Sequence, residues 1–123
     1  ASDVYKRQVF TLVYDRSGLC WIFNNEHLWV YDIANSRWLN HLLPADVRSH
    51  TVKILAQDLS GKLWIGRDHY GLEQIVRDDD GFRFIKVSND GSDSQLNTVT
   101  SLYEDESGTM WIGTYKSGLC PHL

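Results

Sequence analysis

Three aspartates recur in one setting: Asp15 in "DRSGLCWIF", Asp58 in "DLSGKLWIG" and Asp105 in "DESGTMWIG". A carboxylate repeated in fixed surroundings has two chemistries open to it, calcium ligation and acid–base catalysis. A plainer reading competes with both. Asp suits the first position of a type I turn, where its carboxylate accepts a backbone N–H two residues on. Gly18, Gly61 and Gly108 stand three residues after the aspartates. Glycine suits the left-handed position that closes a hairpin with a bulge, because it has no Cβ to clash. The spacing therefore predicts turn aspartates, with positive φ at all three glycines and a carboxylate–amide contact in each turn.

The remaining chemistry-bearing residues form no constellation. "DDDG" (Asp78 to Gly81) and "NDGSDS" (Asn89 to Ser94) look like calcium loops but lack the spacing and closing Glu of an EF-hand. They read as acidic turns. His27, His41, His50, His69 and His122 are scattered, with no second ligand type at metal spacing, and read as solvated loop residues. There is no Gly-rich phosphate loop, His-Glu-x-x-His or Cys-x-x-Cys. Cys20 and Cys120 neighbour apolar residues and are expected to be small buried hydrophobes. No catalytic residue, metal ligand or cofactor is expected.

The totals agree with a scaffold. The chain has 123 residues, 42% hydrophobic and 23% charged, as in a soluble domain. Its net charge of -4 argues against a nucleic-acid face. No apolar run nears the roughly 18 residues of a membrane span, and no basic-then-apolar leader opens it.

The elements that must position these residues repeat. The aspartates lie 43 and then 47 residues apart. Aligned on Trp21, Trp64 and Trp111, further columns coincide: Val9, Val52 and Val99; Leu12, Leu55 and Leu102; Ile22, Ile65 and Ile112. Gly71-Leu72 matches Gly118-Leu119, while the first copy has Leu28 one residue early. Strands are expected near 9–14, 19–23, 52–57, 62–66, 71–76, 82–87, 99–104 and 109–113. No segment keeps a 3.6-residue period, so no helix is expected. "LWIG" does not alternate, so both of its faces should be covered, and the tryptophan should fill the gap between stacked sheets. Four antiparallel strands in roughly 45 residues, each unit sandwiched by its neighbours, make a β-propeller blade. The expected fold is all-β, a propeller fragment of two to three four-stranded blades, with repeats near 9–51, 52–98 and 99–123.

The pattern Val-x-x-Leu-x-x-Asp-x-x-Gly-x-x-Trp-Ile-Gly, then Gly-Leu, resembles the two-component regulator propeller repeat. Val99 to Leu119 follows it almost throughout, and Val52 to Leu72 follows it with Arg67 in place of Thr. Val9 to Leu28 departs most, with Phe23-Asn24 for Gly-Thr. The resemblance implies part of a periplasmic, ligand-sensing propeller of a hybrid histidine kinase of the Bacteroidetes type. It implies oligosaccharide as ligand, the remaining blades as partners and a homodimer of the full sensor, with the chemistry residing elsewhere in the parent. A lyase-type propeller enzyme and a protein-interaction propeller are the other readings.

Function on such a scaffold is expected in the loops between second and third strands and those entering the innermost strand. The ligand-binding candidates are Asn24, Asn25 and Glu26; Arg67, Asp68, His69 and Tyr70; and Thr114, Tyr115 and Lys116. Pro44 to His50 and Asn89 to Asn97 flank them on the same face. "HLWVYD" (His27 to Asp32) and Trp38 are read as core, with an aromatic sugar-stacking surface as the other option. "DVYKRQ" (Asp3 to Gln8) fits no strand of the repeat, and 1–8 is expected to be a sequencing-adapter translation or a polar lead.

Overall fold

A computed structural model describes residues 10–48, 51–87, 98–114 and 118–122. The lead segment 1–8 and "NDGSDS" lie outside the described residues. The strands form three antiparallel meanders, each in chain order. Sheet 1 contains β1 (Thr11–Tyr14), β2 (Leu19–Phe23), β3 (Leu28–Asp32) and β4 (Arg37–Trp38). Sheet 2 contains β5 (Val52–Gln57), β6 (Leu63–Arg67), β7 (Gly71–Asp78) and β8 (Gly81–Lys86). Sheet 3 contains β9 (Val99–Glu104), β10 (Met110–Thr114) and β11 (Gly118–His122). Short 3₁₀ turns at Asn40–Leu42 and Ala45–Arg48 carry the chain away from sheet 1. The described residues contain no α-helix, as the missing helical period predicts.

Strands β3, β4 and β11 fall where the sequence reading placed none. In β3 the buried residues alternate: Leu28, Val30 and Asp32 point inward, while Trp29 and Tyr31 are half-exposed on the other face. Trp29 pairs with Ile22, and Tyr31 with Trp38. So "HLWVYD" is a strand in which Leu28, Val30 and Asp32 face the core, as expected, and Trp29 and Tyr31 lie on the other face. At two residues, β4 is too short to carry any periodicity.

The tryptophans all point the same way along the series. Trp21 is fully buried in the cluster between sheets 1 and 2, with Phe23, Val30, Leu39, Leu55, Ile65 and Ile75. Trp64 is buried between sheets 2 and 3, with Leu72, Val99, Met110 and Ile112. Trp111 faces the far side of sheet 3 and is half-buried. Burial follows neighbours rather than sequence. In the middle sheet, Trp64, Ile65, Gly66 and Arg67 of β6 are all buried. In the outer sheets, β2 and β10 bury every second residue. Among the described residues each outer sheet packs on one face only, and its other row of side chains is the more exposed. Cys20, expected to be buried, sits on that open row and is half-exposed.

The turn glycines behave as their spacing requires, with φ of 94° at Gly18, 99° at Gly61 and 89° at Gly108. A Cβ on Gly61 would meet only the Arg16 guanidinium, at 3.6 Å. The obstacle to a side chain there is thus backbone conformation, not space. Gly61→Val is expected to cost about 1–3 kcal/mol, read as a shift in urea midpoint at fixed protein concentration. A midpoint unchanged by this substitution would remove the physical reason for the conserved spacing between the aspartates and glycines of the three copies.

A different constraint acts on Gly66. A Cβ there would lie 2.9 Å from Ile54 Cγ2 and 3.0 Å from Val99 Cβ, so sheets 2 and 3 approach too closely for a side chain. Sheet 1 carries Phe23 at the same place, buried against sheet 2.

Candidate functional site

The repeated carboxylates are fully used inside the protein. Asp15 Oδ1 accepts from Ser17 N at 2.9 Å, Ser17 Oγ at 2.6 Å and Leu19 N at 3.0 Å. Its Oδ2 accepts from the Trp21 indole Nε1–H at 2.8 Å. The arrangement recurs. Asp58 accepts from Ser60 Oγ, Lys62 N and, at 3.0 Å, Trp64 Nε1. Asp105 accepts from Ser107 N and Oγ, Thr109 N and, at 2.9 Å, Trp111 Nε1. The six-residue step from Asp to Trp therefore lets one carboxylate close a hairpin and anchor the ring beside it. The Trp111 indole and the Ser107 hydroxyl, outweighing a modest cost of burial, bring the Asp105 carboxyl down to about 2. Burial raises the Asp58 carboxyl, but the Ser60 hydroxyl, the Trp64 indole and two amides more than offset it, and the net direction is down. Asp58 and Asp105 thus stay ionised and hydrogen-bonded, and all three carboxylates hold structure through their turn and indole bonds.

Two sets of bonds between sheets escaped the sequence reading. On the hairpin side, Arg16 N donates to Gln57 Oε1 at 2.9 Å, and Leu59 N donates to Glu104 Oε1 at 2.7 Å. Each donor follows a repeat Asp, and each acceptor precedes the next one. On the opposite side, Thr51 Oγ1 donates to the Asn25 carbonyl at 3.1 Å, and His69 N donates to Thr98 Oγ1 at 3.1 Å. Thr51 and Thr98 each precede the first conserved valine of their copies. The signal in the sequence is two further matching columns, Gln57/Glu104 and Thr51/Thr98, each next to a repeat Asp or Val.

The candidate loops sit on this second side. In sheet 1, Asn24 Oδ1 accepts from Glu26 N at 2.9 Å and His27 N at 2.8 Å, which bends the β2–β3 loop. Asn25 and Glu26 are exposed at its tip. With Thr11, Phe23, Val52 and Lys53 this loop lines a cleft of about 470 Å³ between sheets 1 and 2. In sheet 2, Arg67 is fully buried, and its Nε lies 2.7 Å from Glu73 Oε1. Its guanidinium lies 4.2 Å from the centre of the Tyr70 ring. The two residues between them form the tip of the loop. His69 takes a left-handed φ of 57°, is largely exposed, and has Nε2 3.7 Å from Asp68 Oδ1. The Asp68 carboxylate also accepts from Thr98 Oγ1 at 3.3 Å. Thr114 is buried, and Tyr115 and Lys116 lie outside the described residues. The fold thus joins Asn24–Glu26 with Thr51–Lys53, and Asp68–His69 with Thr98. No group of three or more metal-ligating side chains occurs among the described residues.

The two component regulator propeller model matches residues 94–116. No curated protein sequence matches the chain. Among solved structures, the chain is similar to the extracellular domains of two proteins of B. thetaiotaomicron described as hybrid two component systems. With that of BT3049 the TM-score is 0.62 at 21% identity, over 92% of this chain and 15% of that one. With that of BT4673 it is 0.63 at 21% identity, over 94% of this chain and 16% of that one. The chain therefore spans about one sixth of the length of these structures, and the likeness establishes the propeller fold.

Proposed function

From a chain that carries a two component regulator propeller repeat and folds as successive propeller sheets, we propose a segment of an extracytoplasmic ligand-sensing propeller. In this reading the parent is a periplasm-facing sensor histidine kinase, dimeric and acting on glycan fragments. The remaining blades complete the ring, and phosphotransfer occurs elsewhere in the parent. The segment itself binds and relays; it is not an enzyme.

The observation that carries the reading is the cleft beside Phe23. The Gly66 position of sheet 2 leaves no room between sheets, whereas the matching place in sheet 1 holds a large ring and adjoins an open cleft of about 470 Å³. Its rim offers the Asn25 amide, the Glu26 carboxylate and the Lys53 ammonium. Donors and acceptors of mixed kind beside an apolar floor suit a hydroxyl-rich, largely neutral ligand. Asp68, His69, Thr114, Tyr115 and Lys116 belong to the same loop set in this proposal. Arg67, Tyr70 and Asn24 act by holding their loops.

The test uses the complete propeller encoded by the parent gene, titrated calorimetrically with a panel of neutral and acidic oligosaccharides. Binding of at least one is expected, weakened roughly 5–30-fold by Asn25→Ala or Lys53→Ala, the effect of about one lost hydrogen bond to a polar or charged group. Binding that neither change affects would place the ligand elsewhere.

A further inference from the structure

We infer that Thr51 is a positioning residue that couples two ligand loops: its hydroxyl holds the walls of the cleft together, and its carbonyl passes a shift of the cleft loop to Asp68 and His69. The inference rests on the reading of that cleft as the ligand site.

Thr51 stands where the two walls meet. One wall is the β2–β3 loop of sheet 1, with Asn25 and Glu26. The other begins at Val52 and Lys53, which follow Thr51 in the chain. The Thr51 hydroxyl donates to the Asn25 carbonyl at 3.1 Å and so bridges them. Beside this bond the walls leave a void of only about 20 Å³, lined by Asn25, Thr51 and Val52 among others, so the cleft closes at this end. The shape and the position of the loop have different holders. Asn24 Oδ1 accepts from Glu26 N and His27 N, both within the loop, and fixes its shape. The Thr51 hydroxyl fixes where that shape lies against sheet 2.

The other polar group of Thr51 reaches the next loop. Its carbonyl accepts from Asp68 N at 2.7 Å. The β6–β7 loop is tied onward in turn: His69 N donates to Thr98 Oγ1 at 3.1 Å, and Thr98 Oγ1 donates to Asp68 Oδ1 at 3.3 Å. Between these bonds lie single residues and one planar peptide link, which are stiff. The path from Asn25 through Thr51, Asp68 and His69 to Thr98 thus crosses all three sheets on the side of the candidate loops.

His69 is the part of the path with room to respond. It is exposed and holds a left-handed φ of 57°. A residue other than glycine keeps such a conformation only where its surroundings hold it. Here the bond to Thr98 does so, with that from Tyr70 N to the Arg67 carbonyl at 3.2 Å. A ligand that draws Asn25 toward Lys53 pulls on the Thr51 hydroxyl, moves Asp68 and bears on the strained residue. Occupancy of the cleft is therefore felt between sheets 2 and 3, at groups the ligand does not touch.

The experiment is hydrogen exchange on the complete propeller encoded by the parent gene, with Thr51 intact or changed to Val or Ser. Valine keeps the shape and loses the hydroxyl; serine keeps the hydroxyl. Without ligand, Thr51→Val is expected to speed exchange of the Asp68 and His69 amides about 2–10-fold, the effect of roughly one lost hydrogen bond, and Thr51→Ser to leave it unchanged. Asn24→Ala, which loosens the cleft loop, separates coupling from local loosening. It is expected to speed exchange at Asp68 and His69 when Thr51 is intact and to add nothing there in the Thr51→Val propeller. The neutral and acidic oligosaccharides of the titration panel then serve as probes of the filled cleft. One that binds is expected to slow exchange at His69 with Thr51 or Thr51→Ser, and not with Thr51→Val, which still binds it. Exchange at Asp68 and His69 that ignores both Asn24→Ala and Thr51→Val, or protection of His69 by ligand that survives Thr51→Val, would overturn the inference. If no oligosaccharide binds, the ligand reading fails, and the ligand-free comparison with Asn24→Ala still decides the coupling.

Discussion

Glu73→Ala is expected to destabilise the fold by about 3–5 kcal/mol, more than most single changes in a chain this size. Arg67 has no exposed surface and Glu73 is only 2% exposed. Their Nε–Oε1 distance of 2.7 Å is that of a charge-assisted hydrogen bond. Removing the carboxylate takes a charge-assisted partner from a guanidinium held in the core, and the neighbouring rings offset only part of the loss: Tyr70 at 4.2 Å and Phe84 at 5.6 Å. Replacing both partners is a different experiment. Arg67→Met with Glu73→Leu strands no charge, and should return to within about 1 kcal/mol of the original. Urea midpoints at fixed protein concentration decide the matter. A small effect of Glu73→Ala, or a double change as damaging as the single one, would mean the pair is not balanced as described. Because Arg67 begins the loop ending at Tyr70, Glu73→Ala should also loosen Asp68 and His69, seen as faster amide exchange there.

Asp15→Ala is the second large effect, about 2–4 kcal/mol. The Asp15 side chain accepts two backbone amides, the Ser17 hydroxyl and the Trp21 indole, and is 1% exposed. Alanine leaves buried donors without acceptors, and the cost is the desolvation of those donors. Asp105→Ala should cost visibly less, since water reaches its turn. The carboxyls of Asp58 and Asp105 set an acid limit. A carboxyl whose folded pKa lies below its unfolded value of roughly 3.9 adds stability that is complete above that value and lost as pH falls through the folded one. For Asp105, at about 2, the loss falls between roughly pH 4 and pH 2; Asp58, also lowered, adds to the loss as pH falls below the ordinary carboxylate range. Urea midpoints measured across that range should fall, and Asp105→Asn should flatten the fall. A midpoint rising toward acid would contradict the carboxylate–indole bonds.

Much of this architecture was legible in the residues. The spacing of Asp15, Gly18 and Trp21, repeated twice more, implied turns, strands and a stack of similar sheets, because each local choice agreed with the others. The positive φ of the glycines followed from that spacing alone. Other features were not legible. Trp64 and Trp111 occupy matching columns, yet one is buried and the other half-buried, since burial depends on what packs against each sheet and not on the local pattern. Strand β3 was obscured because "LWVYD" is apolar on both faces, and only a partner strand tells core from surface.

What the sequence by itself determined is the repeating unit: its strands, its hairpins and the direction in which each tryptophan points. These are set by contacts a few residues apart, which any copy carries with it. What only the tertiary structure decided is where the units meet. Arg67 reads as a ligand-loop residue until Glu73 and a neighbouring sheet enclose it. Phe23 reads as a defect in the pattern until it is seen beside the cleft lined by Lys53. Thr51, Gln57, Thr98 and Glu104 have no visible purpose until they bond the sheet before them. Such contacts join residues some 26 to 45 positions apart, and a local pattern holds no information about which distant surface will be its neighbour.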